Sequence, residues 1–466
     1  MKLKQTTSVN KTTILNVLST FILQGVSFLT IPIFTRMLGS EQFGIFSIYN
    51  SWVTILACVM GLNVCSSLGT GKYHFQEDYE KFRTSTLLLG TILSAIIIAI
   101  CIALIVPLSN LMGYGYLVYV VMLFTAFGHF IINFAQLAFI YEKKPLSNFI
   151  LSIIISLSTV VLSIVLIKLS QSETKYFGRI FGFSIPYIVL AVILWFLFFF
   201  NKPASLKKEY IKYALLLGVP IVFHSLSQSI LAQSDRIMMQ FMEISNSEIG
   251  IYSLFYSFTG VMVTILNALN NSWTPFFYDD LKRNDWDSLN RKSKNYIELF
   301  TIIISGFILL SREVSYLLAN DEFWSGIELI PIIVSSCFFT FLYQFPVNFE
   351  FYNKKSFIIA IGTVSAALSN IGLNFVLIPI WGIYGAAAAT AISYFLLFLM
   401  HFLIVKLNKK WEYKIKFTSF LPSILVVALI CVIFYVFKDY VRARWTLGAV
   451  LGAFELYRVY KRKTIF

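Results

Sequence analysis

Apolar and polar positions along this chain change in long blocks, not with the period of two of a strand or the one-sided period of a surface helix. Apolar runs bounded by short clusters of charged residues, Gly and Pro predict helices near 14–35, 44–67, 85–107, 116–141, 146–168 and 180–200. A second set is predicted near 214–241, 249–271, 296–318, 329–351, 357–378 and 385–405, and two more near 417–437 and 445–460. A helix needs about 20 mostly apolar residues to cross roughly 30 Å of hydrocarbon. The expected fold is an all-α polytopic membrane protein with about 14 transmembrane helices, of which the last, about 16 residues long, is the shortest.

Composition sharpens this expectation. Of 466 residues, 58% are hydrophobic and 13% charged, against roughly 45–50% and 25% in soluble domains. Mean hydropathy is +0.77. A large soluble catalytic domain is excluded, and no enzymatic activity is expected. A net charge of +14 would suggest nucleic acid in a soluble protein. Here the bases lie in short loops, where they face anionic lipid headgroups, and no nucleic acid is implied. With the N-terminus inside, 28 of the 37 Lys and Arg, beginning with Lys2, Lys4 and Lys11, fall on the cytoplasmic side. That asymmetry follows the positive-inside rule and makes both termini cytoplasmic. The first span lacks a small-residue cleavage site and is read as a mature helix. Cys58, Cys65, Cys101, Cys337 and Cys431 lie in apolar runs without metal-ligand spacing and are read as inert.

An internal repeat organises the helices. Tyr141-Glu142-Lys143-Lys144 returns as Tyr352-Asn353-Lys354-Lys355, 211 residues later, and Val165-Leu166-Ile167 returns as Val376-Leu377-Ile378. Ser40-Glu41-Gln42-Phe43-Gly44-Ile45-Phe46-Ser47 resembles Ser247-Glu248-Ile249-Gly250-Ile251-Tyr252-Ser253. Two six-helix bundles of the same orientation are expected, 1–200 and 201–407, enclosing a central cavity. Residues 408–466 add two helices outside the repeat.

Polar residues within spans are costly and mark candidate substrate or ion paths. Asn16, Thr20, Gln24 and Ser27 make a stripe in the first span, ending near Arg36. Thr125, His129, Asn133 and Gln136 stripe the fourth, and Thr340, Gln344 and Asn348 the tenth, where Gln344 stands 211 residues after Asn133. In the seventh, His224, Gln228 and Asp235 share one face and Arg236 follows. Asn370 and Asn374 are an i, i+4 pair in the eleventh. Such stripes suit a hydrated cavity; taken singly, each Asn, Gln or Thr suits an interhelical hydrogen bond. Asp235 and His224 are the candidates for coupling an ion, and Asp235 with Arg236 also suits a structural ion pair. Pro32, Pro186, Pro220, Pro346 and Pro422 fall within spans, where proline kinks a helix.

Two apparent motifs are set aside. Gly69-Thr70-Gly71-Lys72 resembles the end of a phosphate loop, but position 66 is Ser and Tyr73 replaces the required hydroxyl residue. Asp285-Trp286-Asp287 resembles a metal-binding DxD, but it falls in an expected cytoplasmic loop of about 24 residues, too short for a nucleotide domain. No metal or other cofactor is implied.

Pro32 through Arg36-Met37-Leu38-Gly39 and Phe43-Gly44-Ile45-Phe46 resemble the first-helix signature of polysaccharide and O-antigen-unit flippases. These form the polysaccharide transporter branch of the multidrug/oligosaccharidyl-lipid/polysaccharide exporter (MOP) superfamily. Ser234-Asp235-Arg236-Ile237 with Gly250-Ile251-Tyr252-Ser253 is similar to that family's seventh-to-eighth helix segment. Trp273-Thr274-Pro275-Phe276 is similar to the stretch after its eighth helix. Asn370, Asn374, Ile378-Pro379, Gly382 and Gly385-Ala386-Ala387 resemble its eleventh-to-twelfth signature. The resemblance implies a flippase of the cytoplasmic membrane that moves an undecaprenyl-diphosphate-linked oligosaccharide to the outer leaflet by alternating access. Its expected partners are that lipid, membrane lipids, a proton or sodium ion, and the polysaccharide polymerase machinery. A multidrug/cation antiporter and a lipid II flippase share the expected fold and remain alternatives. A membrane glycosyltransferase or polymerase, the alternative of another class, normally has a sizeable extramembrane loop.

Overall fold

The computed structural model describes residues 25, 26, 28–200, 205–408 and 410–462, and among them there is no strand. The helices are α1 (Ile31–Val59), α2 (Leu68–Phe75), α3 (Tyr79–Ala103), α4 (Ile105–Met112), α5 (Tyr116–Tyr141), α6 (Pro145–Leu169) and α7 (Lys175–Phe199). They continue as α8 (Lys208–Phe241), α9 (Asn246–Lys282), α10 (Trp286–Leu318), α11 (Ile330–Tyr352), α12 (Ser356–Leu407), α13 (Leu421–Val436) and α14 (Val441–Arg462). Gly39 (φ 69°) interrupts α1 and Gly382 (φ 55°) divides the 52-residue α12, so that α12 holds two passes. Only a residue without a Cβ takes this backbone at low cost between two packed helices. With those two breaks, a helix stands among the described residues at every expected span from the second to the last and at the end of the first, consistent with about 14 in all. Mid-helix residues such as Ile96, Val161, Val189 and Val192 are exposed, which lipid tolerates and water does not.

Two expectations are corrected. The loop of about 24 residues between the eighth and ninth spans is helical: α9 runs to Lys282 and α10 starts at Trp286. Residues 283–285 alone form the turn, with Asp285 capping α10 by accepting from Ser288 N. Charged residues end a membrane span without ending a helix, and Lys292 ties the two extensions by pairing with Asp280 at 2.7 Å. The second span, read as one run to residue 67, breaks at Gly61, Leu62 and Asn63, all at positive φ, and continues as a 3₁₀ turn, Met60–Ser67. An apolar run hides this break because Leu62 keeps the hydropathy high.

The described residues form two compact units, one up to Ile237 and one from Met238. In the first, Tyr49 of α1 places its hydroxyl 2.7 Å from Ser184 Oγ and 3.2 Å from Thr125 Oγ1, joining α1, α7 and α5. The Arg179 guanidinium lies over the rings of Phe34 (3.8 Å) and Phe46 (4.4 Å) and donates to Ser163 Oγ at 2.7 Å. It thereby clamps both halves of α1 across Gly39 to α6 and α7. In the second unit α14 lies along α10. Arg444, fully buried, donates to the Leu309 carbonyl at 2.7 Å and forks onto Glu313; Arg458 and Arg462 both reach Glu298.

The repeat is visible in the turns. Lys143 (φ 58°) and Lys354 (φ 60°), 211 residues apart, occupy the same left-handed position after α5 and α11. Lys144 N bonds Phe139 O at 2.8 Å, and Lys355 N bonds Glu350 O at 3.0 Å, one turn back in each case. Both are helix C-caps of one geometry.

Candidate functional site

In the N-terminal unit a polar seam runs where α8 crosses α1 and the break after it. Ser51 donates to Gln233 Oε1 at 2.9 Å, Cys58 Sγ lies 2.9 Å from Ser229 Oγ, and Asn63 Nδ2 donates to Ser225 Oγ at 3.3 Å. Ser225, Ser229 and Gln233 are four residues apart and share one face of α8. Gly218 extends the approach, since a Cβ there would meet the Leu62 carbonyl at 2.7 Å. Arg236 closes the seam, donating to Gln233 Oε1 at 3.3 Å and to the Ala232 carbonyl at 3.0 Å. Cys58, read as inert, thus belongs to this seam.

The residues singled out from the sequence are placed as follows. Asn16 and Gln24 lie outside the described residues. Arg36 is exposed, whereas Asp235 and Arg236 are buried. His224 and Gln228 are half-buried, each next in sequence to a seam residue and so about 100° round the helix from it. His129 stacks on Tyr187 with ring centres 3.8 Å apart. Asn133, one turn on, is exposed and donates to Cys65 Sγ at 3.6 Å.

The C-terminal unit holds an open pocket of about 670 Å³ lined by Asn270, Asn271, Thr274, Pro275, Tyr278, Asp279 and Asn348. Asn348 Nδ2 donates to Asn270 Oδ1 at 3.3 Å and so joins α11 to α9 at the pocket wall. Gln344, one turn before Asn348, is half-buried. Asn374 donates to Asn370 at 3.1 Å and Asn370 to Thr390 at 3.4 Å, a buried chain across the two halves of α12. Of the expected residues, then, Asn348 meets the pocket and Asn370 and Asn374 meet each other. Asn270, Asn271, Tyr278 and Asp279 were not singled out from sequence. The signal was there: Asn267, Asn270 and Asn271 follow helical spacing just before Trp273-Thr274-Pro275.

Charges outside the spans are organised too. Glu142, past the end of α5, meets Arg83 and pairs with Lys144 at 2.7 Å. Burial pushes its carboxyl up, but the hydrogen bonds and charges of Lys144 and Arg83 together hold it below the usual carboxylate range. The Gly69-Thr70-Gly71-Lys72 segment is part of α2, where a Cβ at Gly69 would lie 2.5 Å from the Tyr141 ring and one at Gly71 would lie 2.3 Å from that of Phe82. Helix packing accounts for those glycines.

Apolar, outward-facing helices with polar groups packed inside each unit define a multi-pass membrane protein. The model of the family described as polysaccharide biosynthesis protein matches residues 9–279, more than half of the chain. The chain belongs to that family. A protein of the Lsg locus of Haemophilus influenzae is 23% identical over 388 residues, covering 80% of this chain and 93% of that protein. Among solved structures, the lipid II flippase MurJ in an inward closed conformation matches with a TM-score of 0.75 and 15% identity, over 96% of this chain and 99% of that one. An inward-facing multidrug resistance MATE family transporter of the MOP superfamily matches with a TM-score of 0.67 and 14% identity, over 90% and 98%. The fold is that of MOP-superfamily transporters, as the sequence resemblance implied.

Proposed function

We propose that the chain is a flippase for a lipid-diphosphate-linked oligosaccharide, working by alternating access in the cytoplasmic membrane with both termini inside. The observation that carries this reading is the pocket of the C-terminal unit. Carboxamides of Asn270, Asn271 and Asn348, the hydroxyls of Thr274 and Tyr278 and the Asp279 carboxylate offer both donors and acceptors. Its volume suits a few sugar rings, and Tyr278 adds an apolar face for one of them. The family name points to polysaccharide synthesis, and the MurJ structure supplies a precedent, by its own name, for moving a lipid-linked precursor on this fold.

The task is to carry hydroxyls and a diphosphate through about 30 Å of hydrocarbon. Polar side chains replace the water around the sugar, while an arginine fork meets phosphate oxygens. Arg36 and Arg236 are the proposed phosphate contacts, with Asn16, Gln24, His129, Asn133, Gln228 and Gln344 along the path. Asp235, with His224, is the proposed site of a coupling proton or sodium ion. Two six-helix halves, 1–200 and 201–407, rock about the substrate in this scheme. Negative charge moved outward from a negative cytoplasm gains roughly 2.3 kcal/mol per charge per 100 mV, so the membrane potential drives the substrate itself. The polymerase machinery receives it outside.

The test is deletion followed by fractionation of the lipid-linked intermediates. Undecaprenyl-linked repeat units accumulate on the cytoplasmic leaflet, and Asn270→Ala with Asn348→Ala reproduces the block at normal membrane abundance. Normal surface polysaccharide in the deletion strain, with sensitivity to cationic drugs, favours the multidrug alternative; loss of viability favours lipid II.

A further inference from the structure

Near the ends of α11 and α12 a carboxylate and an imidazole are sealed together. Glu350 and His401 are both fully buried, with His401 Nδ1 2.7 Å from Glu350 Oε2. Glu350 Oε1 and His401 Nε2 have no hydrogen-bond partner among the described residues. The surroundings are aromatic. Tyr343 meets the imidazole edge-on at 5.2 Å, and the Tyr413 ring lies 5.1 Å from Phe349 and 6.2 Å from Phe402, the neighbours of the pair in sequence. The Tyr413 hydroxyl is buried without a partner. Gly362 forms the remaining wall: a Cβ there would stand 2.1 Å from His401 Nε2, so any other residue displaces the ring.

No further cation neutralises this carboxylate: among the described residues His401 is its ion-pair partner, and it alone. Lys354, Lys355 and Lys406 are exposed, and Lys406 donates to the Tyr413 carbonyl at 2.9 Å. In the segment after α12, Glu412 and Lys414 pair with each other at 3.5 Å, and Lys416 is exposed. From α10 the Trp286 ring reaches Tyr413, while Lys292 is held by Asp280. Residues 357–381 hold no Asp, Glu, Lys or Arg. The titratable groups around the pair are the phenols of Tyr343 and Tyr413.

An unprotonated pair carries one net negative charge; one proton added to the Glu350 carboxyl brings it to zero and leaves both partners neutral. A lone buried charge is far costlier than a neutral hydrogen-bonded pair. The sealed geometry therefore selects the form that holds the proton, and hydration favours its loss. We propose that Glu350 and His401 form a proton-binding site of the C-terminal unit, which holds its proton while this end is sealed and exchanges it with water when this end opens. Loading takes a proton from hydronium, forms the O–H bond of Glu350 and leaves water; unloading returns the proton to water. Proton occupancy then biases the unit toward its sealed form, as any ligand with a preference between two states does. The proposal rests on the transporter fold and not on the substrate carried.

Infrared difference spectra of the full-length protein in lipid nanodiscs, taken between about pH 8 and pH 5, test it without substrate. A protonated-carboxyl component grows on acidification, is lost in Glu350→Gln when its spectra are compared with wild type, and persists in Asp235→Asn. In His401→Gln the carboxyl remains but its midpoint moves by about one pH unit or more, because the imidazole is gone; this variant carries the test if Glu350→Gln does not fold. Tyr413→Ala lets water in and lowers the midpoint. A pair of purely structural role gives no pH-dependent carboxyl band that Glu350→Gln removes, whatever the other carboxyls and imidazoles contribute. That result, or an unmoved midpoint in both His401→Gln and Tyr413→Ala, overturns the proposal. Loss of the sugar-carrying reading leaves these spectra as they are.

Discussion

At the scale of residues, charge and burial decide what each arginine does. Arg36 is exposed, Arg236 is buried among the carbonyl oxygens of α8, and Arg179 is held between two phenylalanine rings. If Arg36 and Arg236 meet phosphate, Arg36→Ala and Arg236→Ala depress flipping strongly at normal insertion, and Arg→Lys restores only part, because an ammonium lacks the planar fork. Leaflet-resolved assay of lipid-linked units checks this; full export by both alanine variants removes them from the path. Glu142 gives a pH prediction. Its folded value lies below the ordinary 4.5, so its stabilisation is complete above the ordinary value and is lost as pH falls through the folded one. Thermal unfolding in detergent should separate wild type from Glu142→Gln fully above about pH 5.5 and progressively less below 4.5.

At the scale of elements, buried ion pairs fasten the last helix. Arg444 has no solvent exposure and its Glu313 partner little, so removing one leaves the other uncompensated beside lipid. Arg444→Ala should cost about 3 kcal/mol and lower membrane abundance, while Arg444→Met with Glu313→Leu recovers much of the loss, since an apolar pair needs no desolvation. Equal instability of the single and double variants would argue against this. The charges of this helix were legible in sequence only as cytoplasmic or external bases. Their partners on α10 lie about 130–165 residues away, and no pattern within one helix encodes which distant helix it will meet. The break at Gly61–Asn63 escaped for a related reason: hydropathy averages over it, and its role is to receive α8 at Gly218.

At the scale of the whole molecule, the asymmetric distribution of 37 basic residues predicts topology. Cysteines introduced at Lys207, Arg291 and Lys410 should resist impermeant reagents added outside intact cells, while those at Ser172 and Asn246 react. Labelling at position 207 with protection at 172 would reverse the orientation. The same orientation puts Glu350 and His401 at the cytoplasmic ends of their helices, beside Tyr413 of the following segment, where a proton site would face the cell interior.

The number of helices, their membrane character and the family were determined by the sequence alone, because hydrocarbon demands a long apolar run for every pass and water demands charge between runs. The repeat was legible through Tyr141-Glu142-Lys143-Lys144 and Tyr352-Asn353-Lys354-Lys355, since a left-handed cap leaves a local mark. Which polar residue faces which was decided by tertiary structure. On α8 the stripe His224, Gln228 and Asp235 and the seam Ser225, Ser229 and Gln233 differ by one residue or two, which hydropathy cannot separate. Glu350 and His401 are 51 residues apart, each between two large apolar neighbours in sequence. Only helix packing brings them within a hydrogen bond, because a helix offers every face to its own sequence and a single face to each neighbour.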